Sequence, residues 1–386
     1  MVFPGTFPGS HLKTPGGKPR AVSLGIPLRG VRGTNNAITD VPGVELGYVT
    51  LIEGEGPLRT GHGPVRTGVT AILPRGRKGI GTPCAAGQYS LNGNGEMTGM
   101  AWLEETGALY MPVLLTNTHA VGPCHRGMID WIVRYKPKLA EAWLLPVVAE
   151  TWDGYLNDIN GPHIQPAHAI AAIDSAKGGA IEEGSVGGGT GMNCYAFKGG
   201  SGTASRRVAY GPNTYTVGAF VQANFGARHE LTIGGQYLGE RLAADNPMDD
   251  HFTKFPPGAG SVIAVIATDA PLLPGQCKAL ARRVPLGLAR TGTAGSHFSG
   301  DLFLAFSTAN EGALTSRFPD HEPTSDDFEK LSFIPWGYID PFYEAVVLAV
   351  EEAVLNALTA NADMIGRDNH RSPALPRDVV AGLFGK

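Results

Sequence analysis

The chain has 386 residues, of which 54 are glycine, with 17% charged residues, 42% hydrophobic residues and a net charge of -4. The hydrophobic content excludes disorder, and glycine at twice its usual share of ~7% without a Gly-X-Y period excludes collagen. There is no basic arm for nucleic acid, no stretch near the ~18 apolar residues of a spanning helix and no apolar signal core at the N-terminus, so the expectation is a cytoplasmic protein with neither nucleic-acid nor membrane partners. Cys84, Cys124, Cys194 and Cys277 are dispersed and form no CxxC, which reads as reduced, buried thiols.

Residues 1–30 are rich in Pro and Gly and read as an extended arm. Val65–Leu73 reads as a strand, and Tyr110–Thr116 as a short apolar strand. His125–Tyr135 and Lys138–Trp143 carry helical patterns, Leu144–Ala149 returns to strand, and His168–Ala180 reads as an amphipathic helix. After a glycine-dominated stretch, Gly184–Gly202, the segment Val208–Phe225 alternates like a hairpin around Asn213. Residues 239–259 are polar and Pro-rich and read as an exposed, mobile loop. Ser261–Leu272 is an apolar, β-branched run, the signature of a buried central strand. A helix over Leu273–Ala289, a strand over Asp301–Phe306 and a long helix over Pro341–Ala360 complete the pattern, which describes a layered α/β or α+β fold.

The glycines do not make a nucleotide site. No Gly-Lys-Ser/Thr follows a glycine loop, and Gly187–Met192 (GGGTGM) places methionine at the sixth position of GxGxxG. Tight turns and close backbone packing are the simpler reading. The pairs His119/His125 and His163/His168 lack HExxH spacing, so no metal and no cofactor is expected.

The informative junction is Pro257-Gly258-Ala259-Gly260-Ser261. A flexible loop ends in glycine, and a serine then opens a buried strand. Such a hydroxyl is fixed in space beside a peptide carbonyl with no Cβ to block approach. Attack of Ser261 on Gly260 would pass through an ester and release a chain beginning with Ser261, whose free amine can serve as its own base. The dipeptide alone reads more simply as a turn into a strand.

The rest of the chain resembles the self-processing serine aminopeptidases, the family of the L-aminopeptidase/D-esterase enzymes and the β-peptidyl aminopeptidases. The segments that carry the resemblance, in order, are RGVRGTNNAITDVPGVELGYVTL at Arg29, GVTAILPRG at Gly68, NGNGEMTG at Asn92, PVLLTNTHAVG at Pro112, VVAETWDGYLNDING at Val147, VGGGTGMNCYAFKGG at Val186, VQANFG at Val221, GSVIAVIATDAPLLP at Gly260 and FSTAN at Phe306. The resemblance implies a four-layer αββα sandwich, like the N-terminal-nucleophile hydrolases but with different strand connectivity. It implies one domain cleaved between Gly260 and Ser261 into segments 1–260 and 261–386, and a homotetramer of such protomers.

By the same resemblance Ser261 is the nucleophile, Ser299 and Asp301 in HFSGDLF form its proton network, and Asn224 stabilises the oxyanion. Some members carry Glu where Asp301 stands. A backbone amide from Val186–Gly191 is expected as a second oxyanion donor. Glu150 matches the acid that receives the substrate's terminal ammonium, and Asn117 lines the pocket. Trp152 stands where some relatives have a tyrosine; an indole has only an N–H donor, so it is expected to shape the pocket wall. The implied substrate is a short peptide, amino-acid amide or ester. The alternatives are an ornithine-acetyltransferase-like acyltransferase, against which serine at 261 argues because those proteins use threonine, and a non-catalytic binding member of the fold.

Overall fold

A computed structural model describes residues 7–249 and 258–385. Two sheets dominate it. The first has four strands, β1 (Glu45–Glu53), β2 (Val65–Leu73), β5 (Val113–Asn117) and β6 (Val147–Thr151), in the order β1-β2-β5-β6. The second has six: β3 (Cys84–Gly93), β4 (Ala108–Leu109), the hairpin β7 (Gly200–Tyr210) and β8 (Asn213–Asn224), β9 (Gly260–Thr268) and β10 (Ser299–Ser307), in the order β4-β3-β10-β9-β8-β7. Among the described residues, only the pairings of β5 with β6 and of β9 with β10 are parallel. Helix α1 (Met100–Thr106) lies between β3 and β4, and α2 (Val121–Tyr135) crosses from β5 to β6. The second crossover carries α4 (Pro274–Ala281) and α5 (Val284–Ala289).

Strand alternation builds three apolar layers from these sheets. Ile72, Val113, Leu115 and Val147 of the first sheet meet Phe220, Ile263, Val265, Leu304 and Phe306 of the second. Val69, Ala71, Leu114 and Val148 point the other way, against α2 and α3 (Pro166–Asp174). Val221, Val262, Ala264, Ile266 and Phe303 point away from the first sheet, against α4, α5 and the long α6 (Asp340–Thr359). The result is helix, sheet, sheet, helix, the expected four layers. Phe220 and Phe306 are fully buried between the sheets, and truncating either to alanine costs about 3–5 kcal/mol.

The elements differ from the sequence reading where local signals misled it. Lys138–Trp143 is not a helix; only a 3-10 turn, Pro137–Glu141, forms there. The helix expected over His168–Ala180 spans Pro166–Asp174, starting on a proline. Leu273–Ala289 breaks into two helices, because Pro285 in the first turn of the second lacks the N–H needed to continue the first. The hairpin strand begins at Gly200, inside the glycine-rich stretch. The N-terminal segment is no free arm: Arg20 is buried, paired with Glu183 at 2.7 Å and hydrogen bonded to Ser10, Asn35, Asn36 and Thr203 carbonyls. Of the 239–259 loop, residues 250–257 lie outside the described residues; Met248 is buried against Tyr155, Leu156 and Ala196. All four cysteines are buried and free. Among the described residues no helix is long and apolar enough to cross a membrane.

Candidate active site

Three neighbouring strands of the second sheet meet at Ser261. It is the second residue of β9 and is buried. The antiparallel ladder sets Asn224, the last residue of β8, directly opposite it, and the parallel ladder sets Gly300 of β10 opposite on the other side. The Ser261 hydroxyl donates to the Gly260 carbonyl at 2.6 Å and accepts from the Gly300 amide at 3.3 Å. The hydroxyl therefore lies against the carbonyl it would attack. Glycine is required at 260 by packing: a Cβ there would stand 2.0 Å from the Asn224 carbonyl oxygen. Pro257, the first residue of the junction, lies outside the described residues.

Ser299 stands opposite Gly260 in the parallel ladder, and Asp301 opposite Val262. Their side chains share one strand face, and the Ser299 hydroxyl donates to Asp301 Oδ1 at 2.5 Å. Asn92 donates to Asp301 Oδ2 at 3.0 Å. Burial raises the Asp301 pKa, and the bonds from Ser299 and Asn92 offset only part of that rise. By alternation this pair shares the face of Val262, whereas Ser261 shares the face of Ile263. The pair thus flanks the Gly260–Ser261 backbone, next to the nitrogen that cleavage would free.

The Asn224 amide is fixed at both ends. Its Oδ1 accepts from the Asn193 amide at 2.8 Å, and its Nδ2 donates to the Trp152 carbonyl at 2.9 Å. Because one partner is an obligate donor and the other an obligate acceptor, the orientation has no alternative. The NH2 group keeps a second N–H for the site. The second oxyanion donor expected from Val186–Gly191 is not available from Gly187, Gly188, Gly189 or Thr190, whose amides donate to Thr50, Thr70, Val186 and Gly187. The backbone amide that reaches Ser261 is that of Gly300.

Glu150, on β6, is buried. Its Oε1 accepts from the Glu96 amide at 2.8 Å and its Oε2 from the Thr118 hydroxyl. Burial raises its pKa, and among the described residues no lysine or arginine is ion-paired with it. One residue ties it to Ser261: a Cβ on Gly95 would lie 3.1 Å from Gly300 Cα and 3.3 Å from Glu150 Oε1. Asn117 supports this arrangement from behind. It donates to Thr67 at 2.8 Å and accepts from the His119 amide at 3.0 Å, so it holds the turn that carries Thr118. Trp152 is 37% exposed and its ring lies across Gly154, which fits a wall at the site's mouth.

Sequence reasoning missed the Gly300 amide, Asn92, Thr118, Glu96 and Asn193. Asn92 and Glu96 lie in NGNGEMTG and Thr118 in TNTHAVG, so the segments were visible although the roles were not. Among the described residues no group of three His, Cys, Asp or Glu is placed to hold a metal ion.

A buried serine at a strand start, a side-chain amide held in one orientation and a buried carboxylate with no arginine or lysine paired to it among the described residues thus meet in one corner of the fold. Residues 36–372 match the profile of Peptidase family S58, and the chain belongs to that family. It is a serine aminopeptidase that acts on peptide substrates. The chain is 46% identical over 376 residues to beta-peptidyl aminopeptidase BapA of Sphingosinicella microcystinivorans, covering 95% of this chain and 92% of that protein. The protein of the same name from Sphingosinicella xenopeptidilytica is 43% identical over 373 residues, covering 95% and 91%. Among solved structures, the L-aminopeptidase D-ala-esterase/amidase of Ochrobactrum anthropi superposes with a TM-score of 0.86 at 44% identity, covering 95% of this chain and 99% of that one. The beta-aminopeptidase of a Burkholderia species gives 0.84 at 41%, with the same coverage.

Proposed function

We propose that the chain cleaves itself between Gly260 and Ser261 and then removes N-terminal residues from short peptides and amino-acid amides through an acyl-enzyme on Ser261. In maturation the Ser261 oxygen adds to the Gly260 carbonyl carbon, the C–N bond breaks, and the nitrogen leaves as an amine after gaining a proton. Water then hydrolyses the ester. In turnover that amine takes the Ser261 hydroxyl proton as the oxygen attacks the substrate carbonyl. The Asn224 amide stabilises the developing oxyanion, which is worth a few kcal/mol when the donor is preorganised. The Ser299–Asp301 pair orients the Ser261 amine and supports its proton exchange.

Glu150 selects the substrate. A buried carboxylate without a cationic partner favours a ligand that brings an ammonium, and a blocked amine would leave it uncompensated. The names of the two Sphingosinicella relatives and the Burkholderia protein favour a β-amino acid at the substrate's N-terminus. We further propose a cytoplasmic homotetramer of cleaved protomers, with segments 1–260 and 261–386 remaining in one domain.

The observation that carries this reading is the Ser261 hydroxyl 2.6 Å from the Gly260 carbonyl oxygen, in one site with Glu150. A denaturing gel tests it. The mature protein should show bands of roughly 27 and 13 kDa, the shares of 260 and 126 residues in a 40.5 kDa chain. Ser261→Ala should give one band and no turnover of β-amino-acid p-nitroanilides. A Ser261→Ala protein that matures or turns over would overturn it.

A further inference from the structure

Lys198 is fully buried, yet its ammonium is not locked in an ion pair: among the described residues no carboxylate lies within salt-bridge distance. It donates instead to two backbone carbonyls, Met192 O at 2.7 Å and Gly199 O at 2.8 Å. The first carbonyl belongs to the Met192–Asn193 peptide. The N–H of that same peptide donates to Asn224 Oδ1 at 2.8 Å, and Asn224 Nδ2 donates onward to Trp152 O at 2.9 Å. A positive charge thus sits at the head of a line of two amide groups that ends at the oxyanion donor. Each amide accepts on its carbonyl side and donates on its nitrogen side, the arrangement in which hydrogen bonds strengthen one another. A charged donor at the head makes the first bond about twice as strong as a neutral one.

The backbone around this line is held against its own preference. Asn193–Cys194 pairs with Phe197–Lys198 through a two-residue turn, Tyr195-Ala196, and both turn residues have φ of +54°. Non-glycine residues in that region cost on the order of 1–3 kcal/mol each and persist only where the surroundings over-determine them. Here Arg228 donates to both turn carbonyls and lies 3.4 Å above the Phe197 ring, and the Tyr195 hydroxyl is bonded to Thr291 at 2.6 Å. The strained hairpin sets Lys198 directly across from Asn193.

We propose that Lys198 is a positioning residue for catalysis: its ammonium holds and polarises the Met192–Asn193 peptide, whose N–H fixes and polarises the Asn224 amide. This rests on the reading of Asn224 as the oxyanion donor. Burial lowers the Lys198 pKa to about 7 although nearby Asp153, itself raised to about 7 by burial, acts in the opposite direction, so the lysine's charged form prevails below neutrality.

The test is a double-mutant cycle at pH 6 with wild type, Lys198→Gln, Asn224→Ala and the double variant, assayed on one amino-acid p-nitroanilide. Glutamine keeps a neutral donor and removes the charge. Lys198→Gln should lower kcat about tenfold, the worth of one net hydrogen bond, with KM unchanged. In the Asn224→Ala background the same substitution should change kcat less than about twofold, because the two act through one line. If Asn224→Ala leaves kcat intact, the oxyanion reading itself fails. If Asn224→Ala lowers kcat but Lys198→Gln has the same effect in both backgrounds, the lysine proposal fails alone. A Lys198→Gln chain that does not fold, judged by thermal unfolding, also overturns it, since the lysine would then be structural.

Discussion

Asn224 and Ser261 face each other across the β8–β9 ladder, Asn224 closing one strand and Ser261 one residue into the next. The ladder therefore fixes the spacing between the proposed nucleophile and the proposed oxyanion donor by backbone hydrogen bonds, not by side-chain packing alone. Gly260 sits in the same corner. An alanine Cβ there would meet the Asn224 carbonyl at 2.0 Å and force the ladder apart. Gly260→Ala should slow self-cleavage by roughly fivefold to a hundredfold, the rate equivalent of about 1–3 kcal/mol of overpacking strain at the reacting corner. A time course of the full-length band on denaturing gels reads this directly. Maturation at the wild-type rate would show that the ladder tolerates widening.

Glu150→Gln should raise KM for free-amine substrates by about tenfold to a hundredfold, the scale of a charge-assisted hydrogen bond, with a smaller effect on kcat. Only the carboxylate form binds an ammonium, and burial raises the pKa of this group. KM should thus begin to climb on acidification at a higher pH than an ordinary glutamate, near 4.3, would impose. Steady-state KM across pH 4–8 checks this, and the acid limb should vanish in Glu150→Gln.

The sequence carried the central strand and its chemistry further than it carried the supporting contacts. Val65–Leu73 and the strand from Ser261 were legible because each is rich in β-branched residues and lies buried on both faces. Cys84–Gly93 was not, because its second half is exposed and breaks the pattern. The roles of Ser261, Ser299, Asp301, Asn224 and Glu150 were expectations drawn from resemblance, and the fold brings all five to one corner of the sandwich. The Gly300 amide and Lys198 carry no local signal. One is a backbone group defined only by strand register, and the other a lysine whose partners are backbone carbonyls, which no side-chain pattern reveals.

Asp301→Asn should lower kcat with little change in KM. Asparagine keeps the size but cannot take a proton, and it offers Ser299 a weaker acceptor. Burial raises the pKa of Asp301, so a wild-type kcat that depends on its ionised form falls with acidification from a pH above the usual aspartate value of about 3.9. Asp301→Asn should flatten that limb. Measuring kcat against pH for both proteins decides the point, and an unchanged limb would assign it to another group.

Glu352 is fully buried on α6 and is bonded to Arg206 at 2.6 Å, to Arg32 at 2.9 Å and to Asn36 at 2.6 Å. Burial alone would raise its pKa, but the two guanidinium groups outweigh burial and hold it down at about 2. A folded-state pKa below the unfolded one stabilises the protein above the unfolded value, near 4.3, and that contribution is lost as pH falls towards 2. Glu352→Gln should destabilise by about 3–5 kcal/mol at neutral pH, because it leaves two buried cations without their counter-charge. The deficit should shrink below about pH 4.3, where proton uptake by this glutamate in the unfolded wild-type chain begins to cancel its contribution. Urea unfolding at pH 7 and pH 3.5 measures both, and a deficit independent of pH would mean that glutamine's shape, not the missing charge, is responsible.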